Sequence, residues 1–245
     1  MALVGSGEYL PVMADTEALL LRGRPPRYVQ LPTAAGPEGA ASIRYWVDLG
    51  AEQATRLGVE AVPVLAIDGR SADDESNADL IRGAGLVYLS GGSPAYVAET
   101  LRDSRVWRRI LEEWQGGAAL AGCSAGAMAL AGWVPDIRRP DETGRPGLGV
   151  IPGLTVLPHF DRFVSWQPDA VASVARRAAR AGPGATVIGI DEETAIISDG
   201  ADLSRWVVHG RRAAWLFSDG QPVPYGAGQE LVLSSPVGGE EESGP

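Results

Sequence analysis

Short apolar runs alternate with longer amphipathic ones through the first two-thirds of the chain, and that rhythm restricts the fold more than any other feature. The apolar runs are "ALVG" (2–5), "RYVQLP" (27–32), "VEAVPVLAI" (59–67), "GLVYLS" (85–90) and "GAALAGCS" (117–124). Helices are expected between them, near residues 14–22, 38–57, 74–83, 94–103 and 105–115. In "IRYWVDLGAEQATRL" (43–57), for example, apolar residues recur at near-helical spacing and charges occupy the other face. Strand–helix–strand alternation implies an α/β fold, with a mostly parallel central sheet covered by helices on both sides. Such sheets build their sites at the carboxyl ends of the strands.

Beyond residue 131 the texture changes. "GWVPDIRRPDETGRPGLGVIPG" (132–153), rich in Pro, Gly and charge, reads as a long surface loop. A short strand, "LTVLP" (154–158), and a helix over 167–181 follow. From residue 186, "TVIGI", "TAIIS", "RWVVHG", "RAAWLF" and "QELVLS" come at turn-like spacing and predict antiparallel strands added to one edge of the same sheet. Residues 1–234 read as one domain, and the tail 235–245 reads as disordered because it has almost nothing to bury.

Composition removes several classes of function. A net charge of −10 opposes phosphate backbones and anionic lipid, so neither nucleic acid nor a membrane is expected as a partner. No apolar run is long enough to span a bilayer and the N-terminus does not resemble a signal peptide, so the expected location is cytoplasmic. All 21 basic residues are arginine, which rules out a catalytic lysine or a P-loop lysine. One cysteine and two histidines leave no set for a multi-cysteine or His-rich metal centre.

Four motifs carry the chemistry. In "LAGCSAGAMAL" (120–130) a buried strand turns sharply into a helix, with Ser124 at the corner between Gly122 and Gly126. Glycines at those two places let strand and helix approach, and the hydroxyl is left projecting above the sheet edge. The Ala125 N–H then lies at the helix start, where an oxyanion would form. A purely structural reading makes Ser124 a helix N-cap. Cys123 is expected to face the core, which disfavours a cysteine-dependent amidotransferase. The second motif, "YLSGGSPAYVAETL" (88–101), also ends a strand in glycines, Gly91 and Gly92, whose N–H groups could approach a ligand. The third, "LPHFDRF" (157–163), offers His159 as a base, whereas His209 in "WVVHGRR" suits a hairpin end. The fourth, "IGIDEETAII" (188–197), sets Asp191, Glu192 and Glu193 after an apolar strand, where one of them could orient an imidazole.

In this order the four motifs resemble the serine peptidase family that contains aspartyl dipeptidase (dipeptidase E) and cyanophycinase. The resemblance spans roughly residues 2–217 and implies a fold like that of the class I glutamine amidotransferases. It implies that Ser124 is the nucleophile, His159 the general base and Glu192 the acid of a triad. Gly92 and Ala125 match the oxyanion-hole donors, and Gly91 and Arg162 are candidate substrate contacts. Asp161, two residues after His159, resembles the His-x-Glu pattern of the amidotransferases and is the alternative acid. The implied activity is hydrolysis of a peptide or isopeptide amide bond in a small, Asp-containing substrate, with no metal or organic cofactor. Pro158 stands where cyanophycinases usually carry glutamine, and only Arg162 follows His159 closely, so the substrate itself is left open. So is the alternative of a binding or regulatory protein that kept the elbow, and so is homodimerisation.

Overall fold

A computed structural model describes residues 1–136, 144–166, 168–180 (side chains to 176), 185–198, 203–218 and 220–233. The tail expected over 235–245 lies outside the described residues. Five strands carry the first half: β1 (Ala2–Val4), β2 (Arg27–Leu31), β3 (Glu60–Pro63), β4 (Leu86–Leu89) and β5 (Ala119–Cys123). They pair in parallel in the order β3–β2–β4–β5–β1. Between them run α1 (Ala14–Leu21), α2 (Ala40–Leu57), α3 (Gly69–Ala72), α4 (Glu75–Asp79), α5 (Pro94–Leu101) and α6 (Arg105–Gln115). The helix expected over 74–83 is shorter, ending at Asp79, and a separate one-turn helix precedes it; Asp68 and Asp74 cap the two starts, accepting the N–H of Ser71 and of Ser76 at 2.8 Å.

The second half departs from the expected single sheet. Helix α7 (Ala125–Leu130) leads into β6 (Ala131–Val134), β7 (Arg145–Pro146) and β8 (Ile151–Pro158). Strands β6 and β8 therefore bound what reads as one loop in the sequence. Helices α8 (Phe160–Trp166) and α9 (Pro168–Arg180) follow, then β9 (Thr186–Ile190), β10 (Thr194–Ile197), β11 (Arg205–Gly210), β12 (Ala214–Ser218), β13 (Gln221–Tyr225) and β14 (Glu230–Val232). Only β10, β11 and β14 extend the first sheet, antiparallel, beside β1. A second, six-stranded sheet has the order β13–β12–β9–β8–β6–β7, with β9 parallel to β8.

Packing joins the two sheets. One core cluster draws on Leu3, Leu89 and Leu120 of the first sheet, Leu130 of α7 and Val156 and Ile188 of the second. Across the first sheet, Ala2, Val4 and Tyr88 pack against Leu20 of α1 and Ala54 of α2. On the outer face of the second sheet, Leu157 and Val187 pack under Phe160 of α8 and Val174 of α9. No described helix is long and apolar enough to cross a membrane.

Candidate active site

Strand β5 ends at Cys123 and is followed by Ser124, whose φ of 49° and ψ of −110° make the sharp corner required by the sequence pattern. Sterics explain the flanking glycines. A Cβ on Gly122 would lie 2.5 Å from the Gly126 carbonyl carbon, and one on Gly126 would lie 2.3 Å from the Leu89 carbonyl oxygen. The Ser124 N–H continues the pairing with β1 by donating to the Val4 carbonyl at 2.9 Å. Its own carbonyl accepts the first helical bond from Met128 at 3.0 Å. The side chain does not cap α7. Instead, Ser124 Oγ lies 3.0 Å from His159 Nε2.

His159 comes from the other sheet. It follows the carboxyl end of β8 with φ of 50°, and its carbonyl accepts the N–H of Arg162 and of Phe163 to open α8. Its Nδ1 lies 3.3 Å from Glu192 Oε1. A proton on Nδ1 aimed at that carboxylate leaves the Nε2 lone pair free to accept from the serine hydroxyl. Glu192 Oε2 in turn pairs with Arg162 Nε at 2.7 Å. Arg162, expected as a substrate contact, thus pairs through its Nε with the carboxylate that faces the histidine, while its side chain stays 56% exposed.

Both acids considered from sequence lie beside His159, but they do different things. Asp161 Oδ1 accepts the backbone N–H of Glu192 at 3.0 Å, and Oδ2 pairs with Arg212 at 2.5 Å. Its carboxylate therefore holds the chain that carries Glu192. The neighbouring acids are also in use. Asp191 accepts from Ala213 N–H at 3.2 Å and from Trp215 Nε1 at 2.9 Å, and burial pushes its carboxyl up. Glu193 pairs with Arg211 at 3.0 Å. Three consecutive acids are tolerated here because each turns to a different partner.

The glycine loop after β4 meets the elbow. A Cβ placed on Gly91 would be 3.6 Å from Ser124 Cβ. Gly92 has φ of 136° and sits so close to the Ala34 carbonyl that a side chain there would lie 2.5 Å from its oxygen. Among the described residues, neither the Gly92 nor the Ala125 N–H donates to a backbone carbonyl or a side chain. The Gly91 N–H, expected to be able to approach a ligand, is engaged within the protein. It donates to Glu8 Oε1 at 2.9 Å, so it is not a free donor for a ligand. Glu8 was not singled out from sequence; its one signal is an acid in "VGSGEYL", just past the carboxyl end of β1. Cys123 is fully buried and donates its S–H to Glu8 Oε2 at 2.8 Å. Burial and then the nearby Glu8 charge push its thiol pKa up. The second histidine, His209, lies on β11 opposite Ala195, and burial lowers its pKa.

The sequence model of peptidase family S51 matches residues 1–205. The chain belongs to peptidase family S51. This S51 peptidase is similar to the crystal structure of a peptidase from an acI-B1 Actinobacterium. The two share 38% identity and a TM-score of 0.83 over 94% of this chain and 95% of that one. It also superposes on a "Putative Peptidase E Protein" from Listeria monocytogenes EGD-e. That TM-score is 0.61, over 86% of this chain and 97% of the other, and the identity of 17% makes this a likeness of fold alone. No curated protein matches the sequence.

Proposed function

We propose that this S51 peptidase is a serine hydrolase that cleaves an amide bond of a small peptide or isopeptide through an acyl-enzyme. The observation that carries the reading is the hydrogen-bonded line from Ser124 Oγ through the His159 ring to Glu192, set on a strained strand-to-helix corner. As Ser124 Oγ attacks the carbonyl carbon, its proton passes to His159 Nε2, and the Glu192 carboxylate stabilises the imidazolium. Charge developing on the carbonyl oxygen is met by the N–H groups of Gly92 and Ala125. The C–N bond then breaks, His159 gives its proton to the leaving amine, and a water deprotonated by the same imidazole hydrolyses the ester.

The substrate class, a small Asp-containing peptide or isopeptide, rests on the motifs shared with aspartyl dipeptidase and cyanophycinase. A fluorophosphonate probe followed by a panel of Asp-X dipeptides, β-aspartyl dipeptides and cyanophycin tests both parts. Labelling confined to Ser124, with turnover of at least one member of the panel, is expected. Labelling without turnover would leave the serine chemistry and overturn the substrate class. No labelling would favour a binding or regulatory protein that retains the elbow.

A further inference from the structure

Glu8 joins the two halves of the proposed catalytic centre from beneath. It sits in the loop between β1 and α1 and is only 6% exposed. One carboxylate oxygen takes the Gly91 N–H at 2.9 Å and the other takes the Cys123 S–H at 2.8 Å. Gly91 immediately precedes Gly92, and Cys123 immediately precedes Ser124. A single side chain therefore grips the ends of β4 and β5, the strands that deliver an oxyanion donor and the nucleophile. No cation pairs with Glu8 among the described residues, so ion pairing does not explain why an acid is buried there. A carboxylate does explain it: as an acceptor-only group with two oxygens, it satisfies both donors at once.

We infer that Glu8 is the positioning residue of the oxyanion side, holding the Gly91–Gly92 loop in register with Ser124. The inference rests on the serine-hydrolase reading. The peptide plane of Gly91 is fixed by its bond to Glu8, and the next peptide carries the Gly92 N–H. Glycine at both places removes the side chains that would otherwise restrict that rotation, and so the loop needs an external hold. Displacing a charge-stabilising donor by a fraction of an ångström is enough to weaken catalysis strongly.

The test is the rate of fluorophosphonate labelling in the full chain, because the phosphonyl oxygen occupies the place of an oxyanion. Glu8→Leu is expected to lower the maximal labelling rate by about 100-fold with the probe's KI changed by less than about threefold. Glu8→Gln, which keeps one acceptor for the Gly91 N–H, is expected to recover most of this, to within about three- to tenfold of the original chain. A residue that only fills space would not produce a rate loss at constant KI that the amide rescues. Labelling of folded Glu8→Leu at the original rate would overturn the positioning role while leaving Ser124 as the nucleophile. Should Glu8→Leu fail to fold, Glu8→Gln decides alone: a three- to tenfold loss at constant KI supports the role, and no loss overturns it. An original chain that is not labelled at all would remove the serine-hydrolase reading, and this inference with it.

Discussion

Ser124 holds a backbone conformation that side chains rarely adopt, at a cost of about 1–3 kcal/mol. Its hydroxyl makes no cap bond to α7 that would repay that strain. Two substitutions follow. Ser124→Ala should end fluorophosphonate labelling and leave the Tm nearly unchanged, since the strain stays and the bond lost is to the partly exposed His159. Ser124→Gly should also end labelling but raise stability by about 1 kcal/mol, after the extra chain entropy of glycine is subtracted, or about 2–4 °C in Tm. A lower Tm for Ser124→Gly would mean that the corner is not strained. The two acids beside His159 separate in the same way. Glu192→Gln should lower kcat by orders of magnitude, because the carboxylate faces Nδ1. Asp161→Asn keeps an acceptor for the Glu192 N–H and loses only a half-exposed pairing with Arg212, so its effect on kcat should be much smaller. Steady-state kinetics on the two variants would check the ranking, and the reverse order would make Asp161 the acid.

Two helices show what the elements around the site demand. Helix α7 consists of "AGAMAL", wholly buried, and its Gly126 packs backbone to backbone against Leu89 of β4. Gly126→Ala would place a methyl 2.3 Å from a carbonyl oxygen that no side-chain rotation can move away. We expect a loss of about 2–3 kcal/mol and a Tm drop of about 5–10 °C by calorimetry. Helix α1 buries Glu17 among Tyr9 N–H, Tyr28 O–H and Gln53 Nε2, all donating to it. Burial pushes its carboxyl up to about 7, outweighing those hydrogen bonds. Above the ordinary value near 4.5 the unfolded chain releases this proton while the folded chain keeps it. Stability from this group is therefore fully present below that value and is lost as pH rises towards about 7. Glu17→Gln should remove the dependence. The stability difference between the variant and the original chain, from urea midpoints, should shift by about 3 kcal/mol in favour of the variant between pH 4.5 and 7.5. A constant difference would mean that Glu17 titrates as an ordinary carboxyl.

Across the whole molecule, the candidate site is a seam. Ser124 follows a strand of the first sheet, His159 follows a strand of the second, and Glu192 lies in the three-residue link from β9 to β10, which passes from one sheet to the other. Gly5 lets that link approach β1: a Cβ there would sit 2.1 Å from the Asp191 carbonyl oxygen. Because one core cluster contains residues of both sheets, they should unfold together. In a urea titration we expect far-UV circular dichroism, tryptophan fluorescence and the capacity of Ser124 to be labelled to disappear in one coincident transition. Labelling lost at lower urea than the helical signal would mean that the second sheet opens by itself and that residues 1–234 are not one cooperative unit.

What could be read from the chain alone was whatever is encoded over a few consecutive residues. The order of β1 to β5 with their helices follows from runs of apolar residues and their spacing. The corner at Ser124 follows from glycines two places before and after it, since the clashes they avoid lie within the same strand–turn–helix unit. Pairing between distant strands is not encoded in that way. An apolar run such as "TVIGI" specifies a buried strand but not its neighbour, and only the tertiary structure sets β9 parallel to β8 instead of in a ribbon on the first sheet. Spacing alone was equally unable to separate Glu192 from Asp161, between which only the family resemblance favoured Glu192, because both can approach His159 and the direction of each carboxylate depends on Arg162 and Arg212. Glu8 lies more than 80 residues from Gly91 and more than 100 from Cys123 in the chain, so its contacts exist only after β1, β4 and β5 have come together. Local spacing determines which residues can turn, span or cap, whereas the partners of a buried charge are decided by the fold that closes around it.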